Sequence, residues 1–310
     1  MQPPSSPNEL FRYHIERVTP ADWVTFGILW KVWAALTIQL PAVPTLAVMW
    51  LGLSALFVGF CVLAFQMATH PCASWVPWAR AIAIVGTMFT LYLILAYITF
   101  DAIPWLGDPV LDRLDTMLFG GHTPALWAEA HTTPFLLEFL SIVYACFIPY
   151  LYLSIFLSCI GRPDDERDEF ILGFAITYAV SFLGYLFVPA RGPVVQNASQ
   201  FIAPLLGGPA HQLVVSSVAA AGGPHGAFPS LHVGASWFAC LFDLRHNPLR
   251  GLIYLPIVLL IAIATVFLRY HYVVDILAGV AIATVATAAA RRGLSAWHVL
   301  QRRPAPAGRA

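Results

Sequence analysis

Two histidines and one aspartate in the C-terminal third of the chain have the residue types and spacing of a nucleophilic catalytic group. His232 stands in the stretch GAFPSLHVG, and His271 stands 39 residues later in LRYHYVVDILAG. Asp275 follows His271 by four residues, so the two side chains share one face of a helix. A carboxylate there can accept the Nδ1–H of the ring and leave Nε2 free to attack. The same His–Asp spacing also fits two metal ligands, but no third carboxylate or thiolate stands nearby.

Residues suited to an anionic phosphate surround this group. Pro229 is typical of a first helical turn, which would place Ser230 in that turn, where free N–H groups attract anions. Arg191 lies in FVPARGP, and Arg269 lies two residues before His271. Guanidinium groups bind phosphate oxygens through paired hydrogen bonds. The sequence therefore predicts a phosphate site with Arg191, Ser230 and Arg269 around the histidines. The other histidines of the outer segments are interpreted as interfacial groups: His122, His131, His211 and His225.

The elements that must position these residues are membrane helices. The chain has 310 residues, of which 59% are hydrophobic and 10% charged, whereas soluble domains carry about 25% charged residues. Several apolar runs reach the ~20 residues that cross a bilayer, and only helices satisfy their own backbone groups there. We expect an all-α polytopic transmembrane bundle, with a six-helix catalytic core and one or two N-terminal helices. The predicted spans are 42–66, 79–100, 134–160, 168–190, 229–245, 249–268 and 270–290.

The chain is expected to divide into three parts. Residues 1–78 form an N-terminal segment, which we expect to be retained because it lacks the pattern of a secretory signal. In it the run 21–40 fits either an interfacial amphipathic helix or a further span. Residues 79–290 form the membrane core, and residues 291–310 form a cytoplasmic, disordered tail. The five cysteines have no metal-like spacing, so they are interpreted as packing residues.

Arginine distribution predicts the orientation of the bundle. If residues 191–228 lie outside the cytoplasm, ten of the thirteen arginines after residue 78 fall inside and only Arg113, Arg191 and Arg269 fall outside, which agrees with the positive-inside rule. His232 then lies at the outer end of its span, and a two-span hairpin returns the chain to the same level at His271. The sequence predicts an integral membrane protein, of the plasma membrane if bacterial, with an extracytoplasmic site and a cytoplasmic C-terminus.

The outer segment 101–133 contains a short helical pattern. Its apolar residues Val110, Leu111, Leu114 and Leu118 recur at helical spacing. We expect either an amphipathic helix on the outer membrane surface or a solvated loop that touches the headgroups. Asp112 and Arg113 in this segment are weak candidates for contact with a lipid headgroup.

The two histidine motifs together resemble a known family. GAFPSLHVG followed by LRYHYVVDILAG is similar to the type 2 phosphatidic acid phosphatase superfamily, and most similar to the branch containing fungal inositol phosphorylceramide synthase. The resemblance covers about residues 79–290, and LDRLDTMLFGGHTP also resembles a stretch of that branch. It implies that His232 is the general acid and base and that His271 becomes a phosphohistidine. It also implies that Asp275 is the carboxylate partner and that Ser230 lies at the phosphate.

The sequence departs from the lipid phosphatases of that superfamily in its cationic residues. Their first motif carries a Lys and then Arg-Pro, whereas this chain has YLFVPARGPVV, where only Arg191 is available. Their third motif has an Arg six residues before the histidine, whereas Thr265 stands here and Arg269 lies closer. Both changes favour the transferase branch over a broad phosphatase, and they leave the phosphate-binding residues open.

The resemblance predicts an enzyme that acts on a phospholipid or lipid phosphate at the extracytoplasmic face. It would transfer a phosphoryl-linked group to a lipid alcohol through a phosphohistidine, without a metal or other cofactor. The alternatives are a lipid-phosphate phosphatase, with water as acceptor, and a non-catalytic lipid-binding or transport protein. No basic, aromatic-laced patch indicates a nucleic-acid partner.

Overall fold

A computed structural model of the chain describes residues 15–70, 73–101 and 105–301, without the side chains of residues 97–101 and 301. Within these ranges the chain forms α-helices joined by loops and short turns, and no β-strand. The helices are α1 Pro20–Gln39, α2 Ala47–Thr69, α3 Val76–Asp101, α4 Asp108–Leu118, α5 Pro124–His131, α6 Pro134–Ala145, α7 Phe147–Cys159, α8 Asp164–Phe187, α9 Pro193–Gln196, α10 Pro209–Ala220, α11 Leu231–His246, α12 Pro248–Phe267 and α13 Val273–Gln301.

Six helical segments of the described chain are long and apolar enough to cross a membrane. They are Pro44–Thr69, Val76–Ala96, Pro134–Cys159, Asp164–Phe187, Pro248–Phe267 and Val273–Leu300. The all-α membrane bundle expected from the sequence is therefore confirmed. Of the seven predicted spans, 229–245 has no counterpart among these six segments, because its helix α11 has only 16 residues. It packs against α7, α8, α12 and α13, so this central helix is enclosed mainly by protein.

Helix α1 packs along the bundle. Thr19 and Asp22 form a capping box at its start, and Arg80 at the start of α3 donates to Asp22 over 3.1 Å. Val32 and Leu36 are fully buried, and α1 contacts α2, α3 and α8. Of the two interpretations of run 21–40, this packing favours an additional helix of the bundle. However, α1 is not one of the six described segments that are long and apolar enough to cross a membrane.

The disordered tail expected over residues 291–310 is wrong for its first part. Helix α13 continues through residues 291–301, which were assigned to a disordered tail. Leu294 is 7% exposed, so this last part of the helix still contacts the bundle. The remainder of the tail, 302–310, and the first 14 residues of the N-terminal segment lie outside the described residues.

A close crossing of α11 and α13 brings the two histidine motifs together. A Cβ atom on Gly279 would lie 2.5 Å from the carbonyl oxygen of Ser230 and 3.2 Å from the nitrogen of Gly234. The backbones can approach so closely because both crossing residues lack a side chain. The backbone N–H of Ser230 also donates to the carbonyl of Asp275 over 3.1 Å. The first turns of both helices are thereby held side by side.

A break between α6 and α7 forms one wall beside this crossing. The segment Pro134–Cys159 is interrupted at Cys146. Pro149 has no N–H to donate to the carbonyl of Ala145, and its ring crowds that carbonyl. The break places Tyr144 and Phe147 against the ring of His232, each at a ring-centroid distance of 4.7 Å.

Candidate functional site

The two motif histidines meet at the end of the bundle where α11 and α13 begin. His232 Nδ1 lies 3.3 Å from His271 Nε2, and the two rings are nearly edge to face, at 65°. His232 is in the first turn of α11, and His271 lies in the loop between α12 and α13. The structure thus brings together two residues that are far apart in the sequence, as the hairpin argument expected.

The ring of His271 is held by two acceptors on its Nδ1 side. The backbone carbonyl of Ala227 lies 2.9 Å from Nδ1, and Oδ2 of Asp275 lies 3.4 Å from it. Asp275 is fully buried and accepts the backbone N–H of Tyr272 over 2.9 Å. Two acceptors favour the tautomer with hydrogen on Nδ1, because Nδ1–H can donate to either. The Nε2 lone pair then faces His232.

Sequence reasoning did not identify Ala227, which is the nearer of the two partners. A backbone carbonyl is present at every residue, so no residue type marks it in the sequence. The carbonyl is placed by a neighbouring contact, because the N–H of Ala227 donates to the carbonyl of Ala190 over 3.0 Å. The loop before α11 and the loop after α8 are joined at this point.

Both histidines and Arg191 line one cavity of about 180 Å³. Its walls come from α3, the α6–α7 break, α8, α10 and the loops that precede α11 and α13. The cavity is rich in aromatic residues. The aromatic and histidine side chains that line it, beyond the catalytic candidates, are Tyr92, Tyr144, Tyr185, Tyr270 and His225.

The segment that carries Arg191 is fixed by a carboxylate on α4. The backbone N–H groups of Arg191 and Gly192 donate to Asp108, with shortest distances of 2.9 and 2.7 Å. Gly192 has φ +89° and lies against the backbone of Tyr270, where a Cβ would be 2.2 Å from the Tyr270 carbonyl oxygen. A glycine is required here by both the conformation and the space. These contacts hold the Arg191 segment against the loop of His271.

Ser230 has a different position from the one expected. It is the N-cap of α11 and precedes the first turn, and its Oγ accepts the N–H of Val233 over 3.4 Å. Its side chain is fully buried and is not among the residues that line the cavity. Serine is favoured at this position because its oxygen satisfies a free helix N–H. In this structure Ser230 therefore caps α11, and its expected contact with phosphate stays a prediction.

Arg269 also departs from the expected position. Its guanidinium donates to Glu129 over 2.9 Å and to the carbonyl of Ala203 over 3.2 Å, and it lies 3.7 Å from the ring centroid of Phe201. It is not among the residues that line the cavity. In this structure Arg269 ties the outer loops together, and its expected contact with phosphate stays a prediction. Its left-handed backbone, with φ 64°, turns the chain toward His271.

Glu129 is the residue that holds Arg269. Burial raises its pKa, but the N–H groups of Ala203 and Ile202 and the guanidinium of Arg269 outweigh burial and lower its pKa below the ordinary value. Sequence reasoning missed this partner because Glu129 precedes Arg269 by 140 residues and belongs to no motif.

The two weak headgroup candidates on α4 are separated from the histidines. Asp112 accepts the side-chain N–H of Asn197 over 3.1 Å, and Arg113 is exposed. Neither lines the cavity. Their proposed contact with a lipid headgroup stays a prediction.

The four histidines that were interpreted as interfacial groups do not all lie at the surface. His122 and His131 are exposed, which agrees with that interpretation. His211 is buried, with its Nδ1 3.4 Å from Ser141 Oγ, so its interfacial interpretation is wrong. His225 lines the cavity, and its Nδ1 lies 2.7 Å from the Gly223 carbonyl. Its position three residues before the FPSLH stretch was the available signal in the sequence.

The site thus consists of two facing histidines and an arginine at one cavity of a helical bundle, with a buried aspartate beside His271. The profile of the PAP2 superfamily matches residues 109–289, more than half of the chain. The protein belongs to this superfamily. The match begins in α4 and ends in α13, so it contains Arg191 and both histidine motifs.

One curated relative is similar over a shorter region. A PA-phosphatase related-family protein of Dictyostelium discoideum is 35% identical over 119 residues, which is 37% of this chain. The matched region is only 22% of the length of that relative. No solved structure matches the chain significantly.

Proposed function

We propose that the protein is a membrane-embedded lipid phosphotransferase that works through a phosphohistidine on His271. The observation that carries the proposal is the 3.3 Å approach of His271 Nε2 to His232 Nδ1, in a cavity that Arg191 also lines. Membership of the PAP2 superfamily supports phosphate chemistry on a lipid substrate. The substrate class is a phospholipid or a lipid phosphate, and the acceptor is a lipid alcohol.

In the first step the lone pair of His271 Nε2 attacks phosphorus. The bond between phosphorus and the leaving oxygen breaks, and His232 supplies the proton that this oxygen takes up. Ala227 and Asp275 hold the Nδ1–H of His271 while the ring becomes positively charged. The substrate must enter between the two rings, so their mutual contact belongs to the free enzyme.

In the second step an acceptor hydroxyl attacks the phosphohistidine. His232 takes the hydroxyl proton, and the N–P bond breaks to restore His271. Arg191 offers a guanidinium to the phosphate oxygens, where negative charge is concentrated in both steps. The tyrosine rings that line the cavity offer the chain of a lipid alcohol an aromatic surface, and this favours an alcohol over water as acceptor.

Hydrolysis is the second candidate function. Water as acceptor needs no pocket for a second lipid, and the similarity to a PA-phosphatase related-family protein favours this outcome. A non-catalytic lipid-binding protein would have no need for the Nδ1 acceptors that orient His271, and this geometry argues against it.

A radiolabelled lipid assay separates the three candidates. The purified protein is incubated with a phospholipid labelled in its phosphate, with and without a lipid alcohol. A new labelled lipid supports transfer, and release of the labelled phosphate only in water-soluble form, as the phosphorylated headgroup, supports hydrolysis. Acid-labile, base-stable label on wild-type protein that disappears in His271→Ala supports the phosphohistidine. Binding without turnover or protein labelling would overturn the enzyme proposal.

A further inference from the structure

Helix α4 presents two carboxylates and Leu111 to the protein and its other apolar side chains to the outside. Asp108 and Asp115 are each only 2% exposed on the inner face. On the opposite face Val110, Leu114 and Met117 are 61%, 45% and 70% exposed. This arrangement is the reverse of a helix that stabilises a soluble domain, whose apolar face points to the core.

The two inward carboxylates hold two different catalytic segments. Asp108 accepts the backbone N–H groups of Arg191 and Gly192, and it also accepts the hydroxyl of Tyr272 over 3.1 Å. Asp115 accepts the N–H groups of Val273 and Val274, at 2.8 and 2.9 Å. One helix therefore joins the segment of Arg191 to the segment that follows His271.

Asp115 caps α13 from outside that helix. The first N–H groups of a helix have no partner within it, and a negative charge at this end is favourable. Helix α13 carries Asp275 in its first turn. Removing Asp115 would free the start of α13, and with it the position of Asp275 beside His271.

The outer leaflet of the membrane is the partner that suits the opposite face of α4. The helix contacts α9 and the start of α13, so it lies at the level where the spanning helices end. Trp105 before α4 and Trp127 in α5 are 47% and 56% exposed, and exposed tryptophan is typical of the membrane–water interface. An apolar helical face at this level buries itself among headgroups and upper acyl chains.

We propose that α4 couples contact with the outer leaflet to the alignment of Arg191 and His271. Asp108 and Asp115 are its positioning residues, and Val110, Leu114 and Met117 are its membrane contact. The catalytic consequence rests on the proposed function, whereas the mechanical coupling does not. The two can therefore be tested separately.

Hydrogen exchange tests the coupling without any activity. Backbone exchange is measured by mass spectrometry in phosphatidylcholine nanodiscs and in detergent, on peptides that contain Arg191–Gly192 and Val273–Val274. We expect slower exchange of both in nanodiscs, and faster exchange in nanodiscs for the double variant Leu114→Ser, Met117→Ser. Leu249→Ser is the control, because Leu249 is 70% exposed at the opposite end of the bundle. Unchanged exchange in the double variant would overturn the membrane contact.

Kinetics of Asp115 variants test the positioning role. Asp115→Ala should lower kcat more than tenfold with little change in KM, measured per folded molecule. Asp115→Asn should recover part of the loss, because its amide oxygen still accepts one N–H. A lower melting temperature with unchanged kcat would make Asp115 a purely structural residue and overturn its positioning role. If the wild-type protein has no turnover, the proposed function fails, and hydrogen exchange alone decides the coupling.

Discussion

His271 and Asp275 give the most direct test of the mechanism at the scale of single residues. His271→Ala removes the nucleophile, and Asp275→Asn places an amide N–H where the ring Nδ1–H points. We expect each to lower kcat by about 10²–10⁴-fold, with the larger loss for His271→Ala, because Ala227 still holds the ring in Asp275→Asn. Circular dichroism and size exclusion in detergent check the fold. A near-normal rate in a folded His271→Ala protein would show that the nucleophile is assigned wrongly.

Arg191 gives the second residue-scale prediction. Its backbone is held by Asp108, and the residue lines the cavity. Arg191→Lys should lower kcat/KM by about 10²-fold, because an ammonium cannot reproduce the paired hydrogen bonds of a guanidinium. Arg292→Lys is the matched control: Arg292 is exposed near the end of α13, far from the histidines. Equal activity of both variants would move the phosphate contact to backbone N–H groups.

The sequence predicted the contact between residues of the two histidine motifs. It did not predict contacts with residues that are distant in the chain and belong to no motif. His232 and His271 were expected to meet because one helical hairpin separates them. The pairing of Arg269 with Glu129 could not be predicted, since it depends on how the loop 197–208 folds over α5. Proximity to His271 in the sequence suggested a shared site, but the guanidinium of Arg269 pairs with Glu129 instead.

At the scale of elements, the crossing of α11 and α13 decides whether the two histidines meet. Gly279→Ala would place a Cβ against the backbone of Ser230, and backbone atoms cannot move aside as a side chain can. We expect a loss of stability of about 1–3 kcal/mol. Since the crossing sets the distance between His232 and His271, we expect a loss of activity beyond that explained by unfolding. Melting temperature and kcat per folded molecule are the measurements.

Gly86→Ala is the matched control for this crossing. Gly86 lies within α3, is exposed, and has no atom within 4 Å of the position its Cβ would take. Alanine there should leave activity unchanged, and it should favour the helix by about 0.5–1 kcal/mol. If Gly279→Ala behaved like Gly86→Ala, the close crossing would not be needed for the site.

Element types followed from hydropathy, but helix ends and the central helix did not. Long apolar runs require helices in a bilayer, so the six spanning segments were predictable. Helix α11 was predicted as a span from 229, yet it begins at Leu231, because Ser230 satisfies the cap and Pro229 precedes it. The end of α13 was missed because Arg291, Arg292 and Gly293 interrupt the apolar run, although apolar residues such as Leu294 follow them.

At the scale of the whole molecule, the chemistry is predicted to need no metal. Among the described residues no three His, Cys, Asp or Glu side chains are grouped so that they could hold a metal ion. We expect EDTA to leave the rate unchanged, because the proposed mechanism relies on Arg191 and the paired histidines. The assay is run with and without preincubation in chelator. Loss of activity that zinc or magnesium restores would favour the interpretation of His271 and Asp275 as metal ligands.

The last prediction concerns the side of the membrane on which the site opens. Seven of the ten arginines assigned to the cytoplasm lie in the described residues, and their ion pairs and the groove beneath α13 place them at one end of the bundle: Arg80, Arg162, Arg167, Arg245, Arg250, Arg291 and Arg292. Arg191 and Arg269 lie at the opposite end, with the histidines. This separation gives the positive-inside rule a structural basis in the folded molecule.

We therefore expect a water-soluble, short-chain lipid phosphate to reach the site only from the extracytoplasmic side. Right-side-out membrane vesicles should turn it over without permeabilisation, and inside-out vesicles should do so only after detergent opens them. His271→Ala vesicles provide the background rate, and a cytoplasmic-face enzyme of the same membranes reports their orientation. Turnover by sealed inside-out vesicles alone would reverse the topology. The arginine-rich end would then face outward, and α4 would have to contact the inner leaflet.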